Sequence, residues 1–372
     1  MSKEISLNKI SDLTKKLSND KHVKILRNAM IRTDSNELSM NWDEYRKIDH
    51  SFSNVITGEM PATNQKSSGR CWGFAGLNLF RVYLGRKHNL KNFEFSQSYF
   101  MFWDKLEKAN YFLESIIDTI SEKSDSRIVM HLLSYPLEDG GQWDMWVNLI
   151  NKYGVLPQTE MSESFSTSQS AQMNKMISNK LREYASELRN FHKNGESLEK
   201  LRELKDKMIE EVFKMLSMHI GTPPQTFDWQ VRNKDKKFLR FENLTPQSFF
   251  KEHVALNLED YVCLINCPMK DKEYNKVYTV EHLGNVIEGR NIRYLNVTSK
   301  EMKDASIKSI KDDNPVWFGC DVGKYFHRNL GVMDTNLFDY NSFYGSEFKM
   351  DKSQRLEYGQ SMMTHAMLFT GV

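Results

Sequence analysis

The stretch Thr63-Asn64-Gln65-Lys66-Ser67-Ser68-Gly69-Arg70-Cys71-Trp72-Gly73-Phe74-Ala75 constrains this chain more than any other. A polar, glycine-containing turn runs straight into the apolar positions Trp72, Phe74, Ala75, Leu77, Leu79 and Phe80, which predicts a buried helix with Cys71 in its first turn. A cysteine there meets the unpaired N–H groups and the positive dipole end of the helix, both of which stabilise a thiolate. A free thiol with pKa about 8.5 is only a few per cent ionised at pH 7, whereas such sites bring it to roughly 3.5–7.5. Cys71 is therefore expected to be mostly thiolate at neutral pH.

A lone cysteine beside Trp and Phe is most often an inert core thiol. Three features favour a reactive one. Gln65 lies on the loop feeding the helix, where its amide and the Cys71 N–H can converge on a developing oxyanion. Gly69 permits a tight approach. His365 precedes the apolar, strand-like run Ala366-Met367-Leu368-Phe369, as a base carried on a rigid neighbour would.

The run Gln65…Ser68-Gly69-Arg70-Cys71-Trp72 resembles the active-site Gln and Cys-Gly-x-Cys-Trp segment of papain-like cysteine peptidases. Together with Phe95-Ser96-Gln97-Ser98-Tyr99, Asp139-Gly140-Gly141-Gln142-Trp143-Asp144, the run from Trp317 to Lys324 and Met363-Thr364-His365-Ala366-Met367, it is similar to the bleomycin hydrolase branch, also called aminopeptidase C. The resemblance implies an α+β, papain-like, two-lobed fold: a helical nucleophile lobe faces an antiparallel sheet or partial barrel carrying His365, and a helical insertion lengthens the chain. It also implies acyl transfer, with Cys71 as nucleophile, His365 as acid and base, and Gln65 in the oxyanion hole. Asp139, Gly140, Gly141, Trp72 and Thr364 are the expected substrate-binding residues. Read alone, the Gly140-Gly141 pair is a flexible turn; in the resembled enzymes such an edge pairs with an extended substrate main chain. The expected substrates are peptides or small amides with a free N-terminus.

Composition narrows the alternatives. With 51 Lys and Arg against 49 Asp and Glu, the formal charge is +2, so no general field draws the chain to nucleic acid or an anionic membrane. The most basic run, Arg232-Asn233-Lys234-Asp235-Lys236-Lys237, reads as a solvated loop. No apolar run reaches the length of a membrane span. Four cysteines and a serine at position 68, where secreted relatives carry a disulfide cysteine, fit a reducing, cytoplasmic setting. Neither a metal nor a cofactor is expected, because Cys263 and Cys267 lack a second ligand pair.

Four segments are expected. Residues 1–48 form a helical arm in which Ser6 caps one helix and Ser35 starts another short element. Residues 49–160 form the nucleophile lobe, with a helix capped by Ser96 and a further helical run over 111–120. Residues 161–255 are inserted: Cys71 and His365 lie about 300 residues apart, against roughly 130–150 in papain-type chains. Apolar positions from Met173 to Phe191 and from Leu201 to Ile220 predict a helical hairpin there, broken at Asn194-Gly195. Residues 256–372 are richer in strands and carry the base. In the resembled family such arms and insertions build a homo-oligomer, a hexamer.

One departure sets a second expectation. The family's orienting Asn, within an Asn-Ser-Trp-Gly run after the His, is not found, and Val372 follows His365 by seven residues. A truncated chain would lack the last strands and the tail that lies in the cleft, and would fold poorly or act weakly by itself. The rival function is accordingly a catalytically silent scaffold or assembly subunit. Of the other histidines, only His327 competes for the catalytic role.

Overall fold

The computed structural model describes residues 3–372, which fall into two units. One comprises residues 3–51 with Asp321–Ser361; the other comprises Phe52–Cys320 with Met362–Val372. Residues 321–361 thus group with the N-terminal arm rather than with the rest of the 256–372 segment, because Val332, Leu337 and Phe338 form a small core with Met40. In that unit Ser6 and Asp20 cap the helices Leu7–Ser18 and Lys21–Met30. His327 lies there in the strand pair Phe326–His327 and Val332–Met333, with Nε2 3.1 Å from Glu37 Oε1. Its ring is engaged with Glu37 within that small fold.

The second unit is built on α1 (Cys71–His88), which begins at the cysteine as the polar-to-apolar switch predicts. The side chains of Phe80 and Trp146 meet at 4.7 Å, and Trp72 meets Phe100 edge-on at 4.9 Å, so α1 is enclosed on most sides. Helix α2 (Gln97–Asp118) is capped by the Ser96 hydroxyl and runs unbroken through the 111–120 segment expected as a separate helix. The charged residues Asp104, Lys105, Glu107 and Lys108 do not break it: they are buried within the helix, where each finds a partner. Helix α3 (Trp143–Tyr153) follows the glycine pair.

The insertion contains the predicted helical hairpin, α4 (Ala171–Lys193) and α5 (Leu198–Ile220). Its apolar stripe, including Ile177, Leu181, Leu188, Val212 and Leu216, joins the main core, and Phe213 meets Phe102 of α2 at 5.1 Å. A β-hairpin follows, β1 (Phe227–Arg232) antiparallel to β2 (Phe238–Leu244). The basic run read as a solvated loop ends β1 and forms this hairpin's turn.

The single sheet or barrel expected over 256–372 is replaced by separate small sheets. Leu264–Ile265 pairs parallel with Tyr294–Asn296, which pairs antiparallel with Val277–Tyr278. The Asn296 side chain explains the short strands: it donates to the Cys267 and Lys272 carbonyls and accepts from the Cys267 N–H, satisfying backbone that a neighbouring strand would otherwise take. The longest pair here is β3 (Val316–Cys320) with β4 (His365–Phe369), antiparallel, with Cys320 opposite His365. No helix among the described residues is long and apolar enough to cross a membrane.

Candidate active site

Three segments of the second unit bring the chemistry together. The loop before α1 is held from below by Arg70, which is 2% exposed and makes a two-pronged ion pair with Glu163 at 2.9 and 2.7 Å. Burial works to raise the Glu163 carboxyl, but the Arg70 guanidinium and the Thr167 and Ser98 hydroxyls hold it below its ordinary range. The Ser68 hydroxyl accepts from Arg70 Nε and donates to the Gln65 carbonyl. Gln65 Nε2 in turn donates to the Ser68 carbonyl at 2.6 Å. That amide nitrogen carries two hydrogens, so the contact fixes the side chain and leaves a donor to spare.

Arg70, the residue before α1, supplies no side-chain cap, so the first-turn N–H groups remain available. The backbone N–H groups of Ala366, Trp72 and Cys71 itself approach the Cys71 sulfur and favour its anion. Burial is nevertheless the largest influence and pushes the thiol up, with Asp139 adding to it. Burial likewise lowers the His365 imidazole below its ordinary value. Both shifts run against the expectation of a mostly ionised Cys71, because desolvation penalises both charged forms. A neutral imidazole is the form able to accept the thiol proton.

The third segment is β4. Trp317 of its partner strand donates to the Trp72 carbonyl at 3.0 Å, tying β3 to α1, and the Thr364 N–H donates to the Cys320 carbonyl at 3.0 Å. His365 and Ala366 are thereby set against the start of α1. Gln65, Cys71, Asp139, Gly140, Thr364 and His365 all line one open cleft of about 410 Å³.

Two of the expected substrate contacts are placed differently. Trp72 is buried beneath the cleft, with Nε1 donating to the Asp139 carbonyl at 2.6 Å, and so supports the floor. Gly141 lies on the Trp72 ring, where a Cβ would come within 2.6 Å of it. Asp139 reaches the cleft, but its carboxylate is turned to the protein. It accepts from the Gly69 N–H at 2.9 Å, the Ser170 hydroxyl at 2.5 Å and the Asn174 amide at 2.6 Å, and pairs with Lys105 at 2.6 Å. Burial would raise its pKa, but Lys105, Ser170 and Gly69 together hold it far below the carboxylate range.

Sequence reasoning missed Glu138 and Asn174, which also line the cleft, and Lys105 and Lys108, which hold its wall from inside α2. Glu138 adjoins a motif already singled out, whereas nothing in the sequence sends Asn174 of the insertion back to the cysteine. Among the described residues no cluster of three or more His, Cys, Asp or Glu is arranged to hold a metal.

Residues 4–372 match the Peptidase C1-like family. Human bleomycin hydrolase is 42% identical over 98% of this chain and 81% of its own length. Aminopeptidase C of Listeria innocua is 43% identical over all of this chain and 83% of its own. The crystal structure of PepW from Lactobacillus rhamnosis superposes with a TM-score of 0.97 at 41% identity, covering this chain entirely and 83% of that one. The papain-like architecture expected from the sequence is therefore present, and the chain belongs to the Peptidase C1-like family of papain-like cysteine peptidases.

Proposed function

We propose that this chain is a cysteine aminopeptidase that removes N-terminal residues from peptides and related small amides, with Cys71, His365 and Gln65 as its catalytic residues. The observation that carries the reading is the convergence of these three side chains on one cleft beside Gly140. His365 takes the Cys71 proton as the sulfur attacks the scissile carbonyl, and the resulting imidazolium protonates the leaving amine. The Cys71 N–H and the spare Gln65 hydrogen hold the oxyanion. Water then attacks the thioester with His365 again as base. Free thiols at Cys71, Cys263 and Cys267 support a reducing cytoplasmic setting, and a homo-oligomer belongs to the same reading.

The test is hydrolysis of an aminoacyl-arylamide and of its N-acetylated counterpart. Purified protein should cleave the first and spare the second, and Cys71→Ala should abolish turnover. Equal cleavage of both overturns the exopeptidase reading, and turnover surviving Cys71→Ala overturns the site. Sedimentation velocity tests the oligomer.

A further inference from the structure

Helix α2 buries three charged side chains directly behind the cleft wall: Asp104, Lys105 and Lys108 are 2%, 0% and 7% exposed. The Lys108 ammonium spends all three hydrogens, on Asp104 Oδ2 at 2.9 Å, the Glu138 carbonyl at 3.0 Å and the Gly140 carbonyl at 2.6 Å. Lys105 donates to the same Glu138 carbonyl at 2.7 Å and pairs with Asp139. Trp72 takes the carbonyl between them. Three consecutive carbonyls therefore point into the protein.

In a trans peptide the C=O and the following N–H point in opposite directions. Carbonyls 138, 139 and 140 facing inward thus turn the N–H groups of Asp139, Gly140 and Gly141 the other way. Among the described residues none of these three N–H groups has an acceptor, and a Cβ at Gly140 would meet only open space. We propose that Lys105 and Lys108, with Asp104, are positioning residues for substrate: they anchor the 138–140 carbonyls and so aim a row of backbone N–H donors at main-chain carbonyl oxygens of a peptide bound at Cys71.

An ammonium suits this task better than an apolar side chain of equal length. It holds two carbonyls at once, and a hydrogen bond to a carbonyl polarises that peptide, strengthening its N–H as a donor. Asp104 keeps the buried cation compensated. The inference rests on the reading of Cys71 as the nucleophile of this cleft.

The experiment compares two reagents on the full chain: an epoxysuccinyl-leucyl amide, which carries a peptide main chain, and iodoacetamide, which carries none. Lys108→Met should lower the second-order inactivation constant for the epoxide about tenfold and leave that for iodoacetamide within about twofold. Lys108→Gln keeps an N–H donor on a chain one bond shorter and should lose no more than about threefold with the epoxide. Equal losses for both reagents, or equal losses in the two variants, would make the lysine a merely structural support and overturn the proposal. Should the variants fail to fold, hydrogen exchange of residues 138–141 in the unsubstituted protein decides. Those amides should slow when the epoxide is attached to Cys71 and not when iodoacetamide is, and identical exchange overturns the proposal. If neither reagent labels Cys71, the site itself has been misassigned and the inference falls with it; if both label Cys71 and only the variant comparison fails, the site stands.

Discussion

Cys71 and His365 share a cleft in which each is less charged than in water, and this has a kinetic consequence. Burial raises the thiol and lowers the imidazole, so the fraction of thiolate in the free protein grows as pH rises through and above the ordinary thiol value of about 8.5. Alkylation of Cys71 by iodoacetamide should therefore climb from neutral into alkaline pH, followed as the labelling rate at each pH. A rate already level from about pH 5 upward would instead show the ion pair preformed, the state that the helix terminus alone suggests. Under the proposed mechanism Gln65 acts differently, since its donor matters only as charge develops on the substrate oxygen. Gln65→Ala should lower kcat about 10²–10³-fold with KM little changed. A KM effect of that size would mean that the loss of its bond to the Ser68 carbonyl had collapsed the loop. Cys71 and Gln65 stand out in the sequence because a polar turn running straight into an apolar helix is conspicuous.

At the scale of elements the same logic explains what was hidden. A lysine in a helix ordinarily marks the solvated face, so nothing in the sequence singles out Lys105 and Lys108 as members of a buried charge network. The β1–β2 hairpin was concealed likewise: its turn carries the charge run, and alternation along β2 places Arg240 and Glu242 among apolar neighbours. The α4–α5 stripe was plain, because period and breaker agree. What the stripe packs against was not, since an amphipathic face carries no address. Packing of α1 on α3 is tight enough to predict from geometry: a Cβ at Gly76 would lie 2.3 Å from the Trp146 ring. Helix propensity favours alanine over glycine by about 1 kcal/mol, but overpacking a rigid ring costs about 1–3 kcal/mol or more. Steric overlap wins, and Gly76→Ala should lower the urea midpoint with unchanged m. A rise in the midpoint would mean that the ring moves freely.

For the molecule as a whole, four groups, His88, His253, Asp139 and Glu163, each add stability as pH rises from the acid side. His88 is lowered to about 4 by burial and by His253 and Lys87, and His253 is lowered as well. The pair packs between α1 and the β1–β2 hairpin, with His253 Nδ1 3.1 Å from His88 Nε2 and both rings against Trp229 and Phe241. An unfolded histidine takes up its proton near pH 6.5, so these groups favour the native state above that value, and their contribution is lost as pH falls towards 4. Asp139 and Glu163 are held below their unfolded values of about 3.9 and 4.3, so their contribution is complete above that range and lost only at lower pH. The melting temperature should consequently fall in two stages on acidification, a first between about pH 6.5 and 4 and a steeper one below about 4. His88→Gln should flatten the first stage and spare the second. Asp139→Asn should lower stability by about 3–5 kcal/mol at pH 7, because Lys105 is left without its charge partner in a dry interior, and should blunt the second stage. Calorimetric melts of the three proteins from pH 3 to 7.5 separate the contributions. A single-stage profile unaffected by either substitution would place the acid sensitivity elsewhere.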